Sequence, residues 1–254
     1  MNLFRVRGIQ LAVHFSFFLL LALIAAEGWM RGDWPGLFWN VATLLVFFTC
    51  VVLHELGHSF TAMQFGVGVR RILLMPIGGM AEFDSIPRQP SRELLITFAG
   101  PAVNFAIAAA LALIVGFPPG YPGGDYDFPA NATGFAQLVL HWNLLMGLFN
   151  LVPVFPMDGG RIFRAVLALR LPYLRATLIA ATVGKVLALI GALLAIVFWQ
   201  ELLLAALFVF IFFAGEMEYR ALKRREIEDA HWRAVLARMY DPLPPTEEPP
   251  VLTR

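Results

Sequence analysis

The sequence predicts an all-α membrane protein that crosses the bilayer about six times. Of its 254 residues, 59% are hydrophobic and only 15% are charged, and the mean hydropathy is +0.72. A soluble domain of this length could not bury so much apolar surface. The apolar residues form runs of roughly 20, the length at which an α-helix crosses a hydrocarbon core of about 30 Å. Basic residues are concentrated in alternate connections, as expected for a chain that crosses a membrane repeatedly.

Six apolar segments are candidates for membrane helices, and the last is the shortest. They cover residues 9–26, 37–65, 94–117, 135–152, 174–198 and 202–215. The first has a basic start and ends in Ala25 and Ala26, as a secretory signal does. Its removal would leave an odd number of spans, which disagrees with the charge pattern. We therefore expect all six spans in the protein.

The distribution of Lys and Arg predicts how the spans are oriented, because connections rich in these residues stay in the cytoplasm. The basic connections precede span one and follow spans two and four; their residues are Arg5, Arg7, Arg70, Arg71, Arg88, Arg92, Arg161, Arg164 and Arg170, and the tail is also Arg-rich. The other connections, 27–36, 118–134 and 199–201, contain Arg31 alone. The pattern predicts a multi-pass protein of the cell membrane with both termini in the cytoplasm, which the net charge of +1 does not reveal.

The chain divides by composition into two parts. Residues 1–215 hold all six spans and are expected to form one membrane core, and residues 216–254 are expected to form a cytoplasmic tail. Within the tail, residues 216–240 predict a charged, partly amphipathic helix, and the Pro-rich residues 241–254 predict disorder. A single cysteine, Cys50, excludes an internal disulfide framework.

The second span contains the motif H-E-x-x-H, in which His54 and His58 flank Glu55. Residues four apart lie on one face of a helix, so both imidazoles can bind one Zn²⁺ while the glutamate reaches a water molecule on the metal. Ionisable groups inside a membrane are costly and are retained mainly for function. The motif therefore predicts metal-assisted hydrolysis rather than a chance match.

A catalytic zinc site usually has three protein ligands, so a third must lie elsewhere. The metzincin pattern is excluded because it would need Gly and His where Thr61 and Gln64 stand. Glu82 and Glu93 are candidates by analogy with other zincins, but neither has the surrounding pattern. Cys50 shares a helical face with His54 and is the least favoured of these candidates.

Asp158 is the remaining candidate for the third ligand. Pro153 and Pro156 break the fourth span just before it, and irregular backbone at membrane depth is tolerated only inside protein or around a water-filled cavity. Span two ends on the same side as span four, so Asp158 can meet His58, which lies about 10 Å from that end. As an alternative role, Asp158 could cap the helix predicted over residues 159–169.

Together these motifs resemble the site-2 protease family of intramembrane zinc metalloproteases. The resemblance rests on H-E-x-x-H in span two and on N-x-x-P-x-x-x-x-D-G from Asn150 to Gly159. Two shorter pieces support it, G-P-x-x-N from Gly100 to Asn104 and P-I-G-G at residues 76–79, and it covers roughly residues 8–215. The length predicts a core-only form with neither an inserted PDZ domain nor a CBS pair.

The resemblance implies roles for five residues. His54, His58 and Asp158 would bind Zn²⁺, Glu55 would be the general base, and Asn150 would lie near the substrate. Two roles are open for Asn150: it could donate a hydrogen bond to the developing oxyanion, or it could only satisfy local backbone. The implied reaction is hydrolysis of a peptide bond in or near a substrate transmembrane segment. The implied partners are the lipid bilayer and a membrane-spanning protein, such as an anti-sigma factor, a membrane-anchored transcription factor or a signal-peptide remnant. No nucleic acid is expected.

Several features leave alternatives open. Residues 70–83 predict a short hairpin at the membrane edge, which could pair with unwound substrate or only cover the cavity. A membrane metal-ion transporter or an inactive membrane scaffold are the alternative functions; the first usually shows repeated halves, and the second should have lost the metal set. His14 is expected to make a structural hydrogen bond or to have a lesser role at the site, and His141 is expected to be structural. Lys185 is expected either to pair inside the bundle or to extend toward the cytoplasmic side.

Overall fold

The computed structural model describes residues 1–31, 34–76, 78–84, 88–117 and 132–240, and these form seven α-helices and one sheet. The predicted disordered end, residues 241–254, and most of the predicted connection 118–134 lie outside the described residues. In chain order the elements are β1 (Asn2–Val6), β2 (Ile9–Val13), α1 (Phe15–Arg31), α2 (Trp34–Gln64), β3 (Val69–Met75), β4 (Gly78–Phe83), α3 (Pro90–Val115), α4 (Ala132–Asn150), α5 (Asp158–Ala168), α6 (Tyr173–Leu194), a π-helical turn (Ala195–Trp199) and α7 (Leu202–Tyr240).

The fold-class prediction of an all-α membrane protein with about six spans is confirmed. Among the described residues, α2, α3, α4, α6 with its π-helical turn, and α7 are long and apolar enough to cross a membrane. Helix α1 is apolar but shorter, with 16 residues over Phe15–Met30. The apolar and charged segments that the sequence separates at residue 216 belong to one continuous helix, α7.

A four-stranded sheet, in the order β1-β2-β3-β4, packs beside α2. Strands β2 and β3 are parallel, and the two outer pairs are antiparallel. Ile9 and Leu11 of β2, Ile72 of β3 and Leu56 of α2 form a buried apolar cluster that attaches the sheet to the helix. The hairpin predicted at residues 70–83 is β3–β4, whereas the sequence analysis did not predict that β1 and β2 extend it.

The predicted start of the first span is wrong. Residues 9–13 form the strand β2, and the helix begins at Phe15. Hydropathy cannot distinguish these two structures, because a short apolar run fits a buried strand as well as a helix. The strand is favoured here because a tight turn with positive φ at Arg7 and Gly8 folds β1 back on β2, and the apolar side chains of β2 are buried against α2.

Helix α3 lies at the centre of the bundle, between α2, α4 and α5. The short helix α5 is fixed to it by Arg164, which is 2% exposed and donates from Nε to Glu93 of α3 over 2.9 Å and from a terminal nitrogen to Glu218 of α7 over 2.7 Å. Helix α6 packs closely on α7 through buried small residues such as Ala181 and Ala188. The start of α5 is therefore held in a defined place beside α2 and α3.

Candidate metal centre

Helix α2 places His54 and His58 on one buried face, as the motif predicts. The two side chains are 5% and 7% exposed, and their Nε2 atoms are 3.0 Å apart. The same face packs closely on α3, since a Cβ atom at Gly57 would approach the carbonyl oxygen of Ala99 to 2.7 Å. The helix runs without interruption through the motif, so the imidazoles are positioned by regular helical geometry.

Asp158 is the first residue of α5, and its Oδ2 atom lies 3.2 Å from the Nε2 atom of each histidine. The irregular segment after α4 turns back over the start of α5. Its backbone can come this close because residues 159 and 160, Gly159 and Gly160, have no side chains. A Cβ atom at Gly159 would overlap the backbone of Leu151 and Val152, and one at Gly160 would overlap the backbone before it. The alternative role as helix cap is not observed, because Met157 is the N-cap and no side chain caps the helix.

Each histidine is held through its other ring nitrogen. Nδ1 of His58 lies 2.8 Å from the carbonyl oxygen of Ile96, which can only accept, so this nitrogen carries the proton. Nδ1 of His54 lies 2.6 Å from Oδ1 of Asn104. Such outer hydrogen bonds fix the orientation and tautomer of metal-binding histidines.

A hydrogen-bond relay through two buried asparagines sets the tautomer of His54. The carbonyl oxygen of Val139 can only accept, so the amide nitrogen of Asn143 must face it, at 2.8 Å. Oδ1 of Asn143 then accepts from Nδ2 of Asn104 over 2.9 Å, which turns Oδ1 of Asn104 toward His54. The proton of His54 is therefore on Nδ1, and its Nε2 lone pair points at Asp158.

These tautomers bring three lone pairs together with no proton between them. Oδ2 of Asp158 is buried and accepts no hydrogen bond from the described residues, although both Nε2 atoms are near. A tetrahedral Zn²⁺, with bonds of about 2.0–2.1 Å, holds its ligand atoms about 3.3 Å apart. The observed separations of 3.0, 3.2 and 3.2 Å therefore fit a zinc ion with a fourth position open. This is the group of possible metal ligands found among the described residues.

A cleft of about 580 Å³ opens beside the metal ligands, between α2, α4 and β4. Glu55 and His54 line it, together with Gly78 and Gly79 at the start of β4. A Cβ atom at Gly79 would come within 2.8 Å of Cγ of Glu55, so the glycine lets β4 pass directly beside this carboxylate. Asn150 lines the same cleft, and its amide nitrogen donates to the carbonyl oxygen of Met146 over 3.0 Å.

The structure does not bring the other candidate ligands to the metal centre. Cys50 is buried and accepts a hydrogen bond from Asn143. Glu93 is paired with the buried Arg164. Glu82 lies on β4, where a hydrogen bond from Arg71 lowers the pKa of its carboxyl group.

The remaining polar residues of the spans have local partners. Nδ1 of His14 lies 2.7 Å from the hydroxyl of Ser16, and Nδ1 of His141 lies 2.8 Å from the carbonyl oxygen of Gln137. Lys185, which has no carboxylate nearby in sequence, donates to Glu216 of α7 over 2.7 Å. Lys185 therefore pairs inside the bundle, one of the two alternatives expected for it, and His14 and His141 make local hydrogen bonds.

The sequence analysis missed Asn143 and Arg164 as supports of the site. Neither residue lies in the H-E-x-x-H motif, and Arg164 was counted only as a basic residue of a connection. A signal was present for Asn143, because an uncharged polar side chain in an apolar span needs an internal partner. The partner itself could not be read from the sequence, since Asn104 lies 39 residues away on another helix.

Three comparisons with known proteins are informative. The family model described as peptidase family M50 matches residues 42–134 and 126–191. "Zinc metalloprotease MJ0392" of Methanocaldococcus jannaschii is 40% identical over 222 residues, which is 87% of this chain and 61% of that protein. "Stage IV sporulation protein FB" of Bacillus subtilis is 27% identical over 222 residues, 87% of this chain and 69% of that protein. Among solved structures, "Site-2 Protease from Methanocaldococcus jannaschii" is 38% identical with a TM-score of 0.60, covering 86% of this chain and 94% of that one.

The chain spans only part of several relatives. It covers 61% of the first relative, 42% of "Putative zinc metalloprotease sll0528" of Synechocystis and 48% of "Putative zinc metalloprotease Rip3" of Mycobacterium tuberculosis. The similarity includes the stretch that holds H-E-x-x-H and Asp158. Three of these proteins are named as zinc metalloproteases, and the donor set found here suits that metal.

We predict that the protein binds one zinc ion per chain and that Asp158→Ala loses most of it. Two imidazoles alone leave the ion a ligand short and leave its charge uncompensated in an apolar bundle. Zinc in the purified protein should be measured by elemental analysis after dialysis against a weak chelator. Cys50→Ala is the matched control and should keep its zinc. Full occupancy in Asp158→Ala with loss in Cys50→Ala would show that the ligand assignment is wrong.

We predict that Asn143→Leu weakens zinc binding about tenfold or more, the usual scale for outer-shell partners of metal ligands. Leucine has the same number and branching of heavy atoms but cannot turn Asn104 toward His54. Competition with a chromophoric chelator measures the affinity, and the absorption spectrum of the Co²⁺ form reports the ligand geometry. His141→Leu, on the same helix but outside the relay, is the control. Unchanged affinity and spectrum in folded Asn143→Leu would exclude the relay.

Proposed function

The chain belongs to peptidase family M50, and we propose that it is a zinc-dependent endopeptidase that cleaves a peptide bond in or near the membrane-spanning segment of another protein. The observation that carries this proposal is the position of Glu55. Its carboxylate lies in the same cleft as His54, next to three converging ligand atoms and among helices long enough to cross a membrane. A purely structural metal site would not need a carboxylate beside an open position.

In the proposed reaction, water adds to the scissile carbonyl carbon and the bond to the amide nitrogen breaks. Zinc bound at His54, His58 and Asp158 would lower the pKa of a water molecule to about 7 and polarise the carbonyl group. Glu55 accepts the proton that the attacking water loses and transfers it to the leaving nitrogen. The second proton of that water follows to the leaving nitrogen by the same side chain, so the products are one carboxylate and one ammonium group and both protons are accounted for.

Asn150 is proposed to stabilise the oxyanion that develops on the substrate carbonyl. Its amide group has two N–H bonds, and one donates to the carbonyl oxygen of Met146. This contact orients the side chain and leaves the second N–H for the cleft. A donor placed in this way is worth about 3 kcal/mol in acyl transfer when it is aimed at the developing charge.

The substrate must be extended before it can react, because an α-helix keeps its peptide groups in its own hydrogen bonds. Strand β4 is at the edge of the described sheet, and its first residues line the cleft beside Glu55. We propose that an unwound substrate adds to this edge as a further strand, which would replace the helical hydrogen bonds with sheet hydrogen bonds. The strand is open at its first residue, because nothing lies within 4 Å of the position that a Cβ atom of Gly78 would take.

The substrate is proposed to be a membrane-anchored regulator or a signal-peptide remnant. A metal-ion transporter, the main alternative from the sequence, is not favoured, because transport does not require Glu55 and relatives in the family are named as proteases. An inactive scaffold is not favoured either, because the metal ligands and Glu55 occur together.

Cytoplasmic placement of both termini is also part of this proposal. It would put the sheet and the start of α5 on the cytoplasmic side, where the basic connections lie.

The orientation predicts which positions an impermeant thiol reagent can reach. A cysteine at Glu201, in the turn between α6 and α7, should be labelled in intact cells, and one at Gln89, before α3, only after permeabilisation. Both side chains are exposed, so burial does not explain a difference, and the native Cys50 is buried and contributes little background. The reverse pattern would contradict a cytoplasmic active site.

We predict that Glu55→Gln lowers the rate of peptide hydrolysis at least about 100-fold while the protein stays folded and zinc-loaded. The substitution preserves shape but removes the group that takes the proton, which contributes about 10²–10⁴-fold. Purified protein in liposomes should be assayed with a membrane-spanning substrate, with product masses and zinc content measured together.

The control for this assay is Glu228→Gln, a carboxylate removed from the exposed, charged part of α7, which should keep wild-type activity. Cleavage at the wild-type rate by Glu55→Gln, in a preparation free of other proteases, would overturn the mechanism. If the wild-type protein loads zinc but cleaves no membrane-spanning substrate, the proposed activity itself is wrong.

A further inference from the structure

Helices α2 and α4 run side by side in the same direction, and together they give the cleft its length. The residue numbers rise together along both helices in three contacts: Trp39 with Phe135, Phe47 with Trp142, and Cys50 with Asn143. The ring centroids of the first two pairs are 5.4 and 5.5 Å apart. Beyond these contacts both helices reach the end of the cleft next to the metal centre, where Glu55 and Asn150 line it.

The lining of the cleft is arranged in levels, because residues four apart lie on one face of a helix. From the metal centre outward, the levels are Glu55 with Asn150, Val51 with Met146, and Phe47 with Trp142. Four residues of a helix span about 6 Å, so successive levels are about 6 Å apart. The first level is polar and the other two are apolar. The cleft therefore becomes apolar about one helical turn from the catalytic groups.

Strand β4 runs in the same direction as α2. A Cβ atom at Gly79 would contact the side chains of Val51 and Glu55, whereas Ala81, two residues later, packs against the buried cluster that contains Leu56. The residue numbers therefore rise together along the strand and the helix. A substrate strand that pairs with the edge of β4 would lie along the cleft, and its continuation past the start of β4 would meet the two apolar levels.

The repeat of an extended chain matches the spacing of these levels. A strand rises about 3.3 Å per residue and its alternate side chains point to the same side, so side chains on one side are about 6.6 Å apart. When the cleaved bond lies beside Glu55, a side chain about two residues farther along the substrate lies at the level of Val51 and Met146. The aromatic rings of Phe47 and Trp142 then close the far side of the space around it.

We propose that the two apolar levels, Val51 with Met146 and Phe47 with Trp142, form a specificity pocket for one large apolar side chain of the substrate, such as Phe or Leu. This side chain belongs to the second or third residue from the cleaved bond, counted toward the end of the bundle away from the sheet. The specificity pocket depends on the proposed function, because the substrate is taken to pair with β4 and to be cleaved beside Glu55.

The specificity pocket would select which bond of an unwound segment is cleaved. Hydrolysis needs water at Glu55, so a large apolar side chain nearby would meet that water unless apolar walls cover it. An alanine at the same position would leave the space beside Phe47 and Trp142 unfilled and would lose their packing contacts. Apolar pockets of enzymes discriminate between side chains that differ by one methylene by about 10–200-fold.

The position of the cleaved bond tests the proposal. Synthetic membrane-spanning peptides share a Leu-rich host sequence with an Ala window, and a Gly-Pro pair inside the window promotes unwinding. Each peptide carries one Ala→Phe change, which is moved one residue at a time through the window. Purified, zinc-loaded protein in liposomes is incubated with each peptide, and the product masses identify the cleaved bond and the fraction cleaved there.

We expect the cleaved bond to move with the Phe and to stay two or three residues from it, always on the same side. Cleavage at this bond should exceed cleavage at any other bond by about tenfold or more, and in Phe47→Ala and Trp142→Ala the excess should fall to about threefold or less. Trp142 is 39% exposed, so its truncation removes little of the buried core. Leu53→Ala removes an exposed side chain of α2 outside the cleft and should behave as the wild type. Zinc content verifies that each variant is folded.

A cleaved bond that keeps its distance from the Gly-Pro pair while the Phe moves would overturn the proposal. A bond that still follows the Phe in both Phe47→Ala and Trp142→Ala would overturn it as well. Both results include cleavage, so they leave the proposed function intact. Cleavage of none of the peptides by the wild type would instead contradict the proposed function, and the specificity pocket with it.

Discussion

The arrangement of the protein depends on three lone pairs that meet inside an apolar bundle. The Nε2 atoms of His54 and His58 and an oxygen of Asp158 lie 3.0–3.2 Å apart with no proton between them. Without a cation the lone pairs of these atoms would repel one another, so a bound metal ion would stabilise the arrangement. The elements around the site hold these three ligand atoms in position.

Two different sets of contacts hold the three ligand atoms in position. The histidines need a defined tautomer, which the carbonyl oxygens of Ile96 and Val139 impose, the second through Asn143 and Asn104. Asp158 needs a defined position, because it belongs to a short helix after an irregular segment. The buried ion pairs of Arg164 with α3 and α7 supply that position. Burying these charges is costly, and their removal one at a time would leave unpaired charge, so they serve placement of α5 rather than overall stability.

The open side of the metal centre gives the proposed hydrolysis a place inside a bundle of apolar helices. The cleft contains Glu55 and Asn150, while an edge strand passes beside it. Farther along α2, the cleft is lined by the apolar side chains of Val51 and Phe47. The polar groups of the proposed reaction and an apolar wall therefore belong to one cleft.

The sequence alone determined the membrane class, the approximate spans and, by residue type and spacing, the candidate metal ligands. These follow from local physics: the length of apolar runs reflects the thickness of a bilayer, and the spacing of His54 and His58 reflects the period of a helix. Asp158 could be identified as a candidate ligand from the sequence because the prolines just before it interrupt the helix. Where such local rules are ambiguous the prediction failed, as at residues 9–13, which are apolar enough for a helix but form a strand.

Only the tertiary structure decided which distant residues support the site. Asn143 meets Asn104 across 39 residues, and Arg164 meets Glu93 across 71, and no local pattern encodes such pairs. The sheet beside Glu55 likewise arises where separate elements pack together. The physical reason is that a side chain's preference for a buried partner is a property of its own chemistry, whereas the identity of that partner depends on how the helices pack.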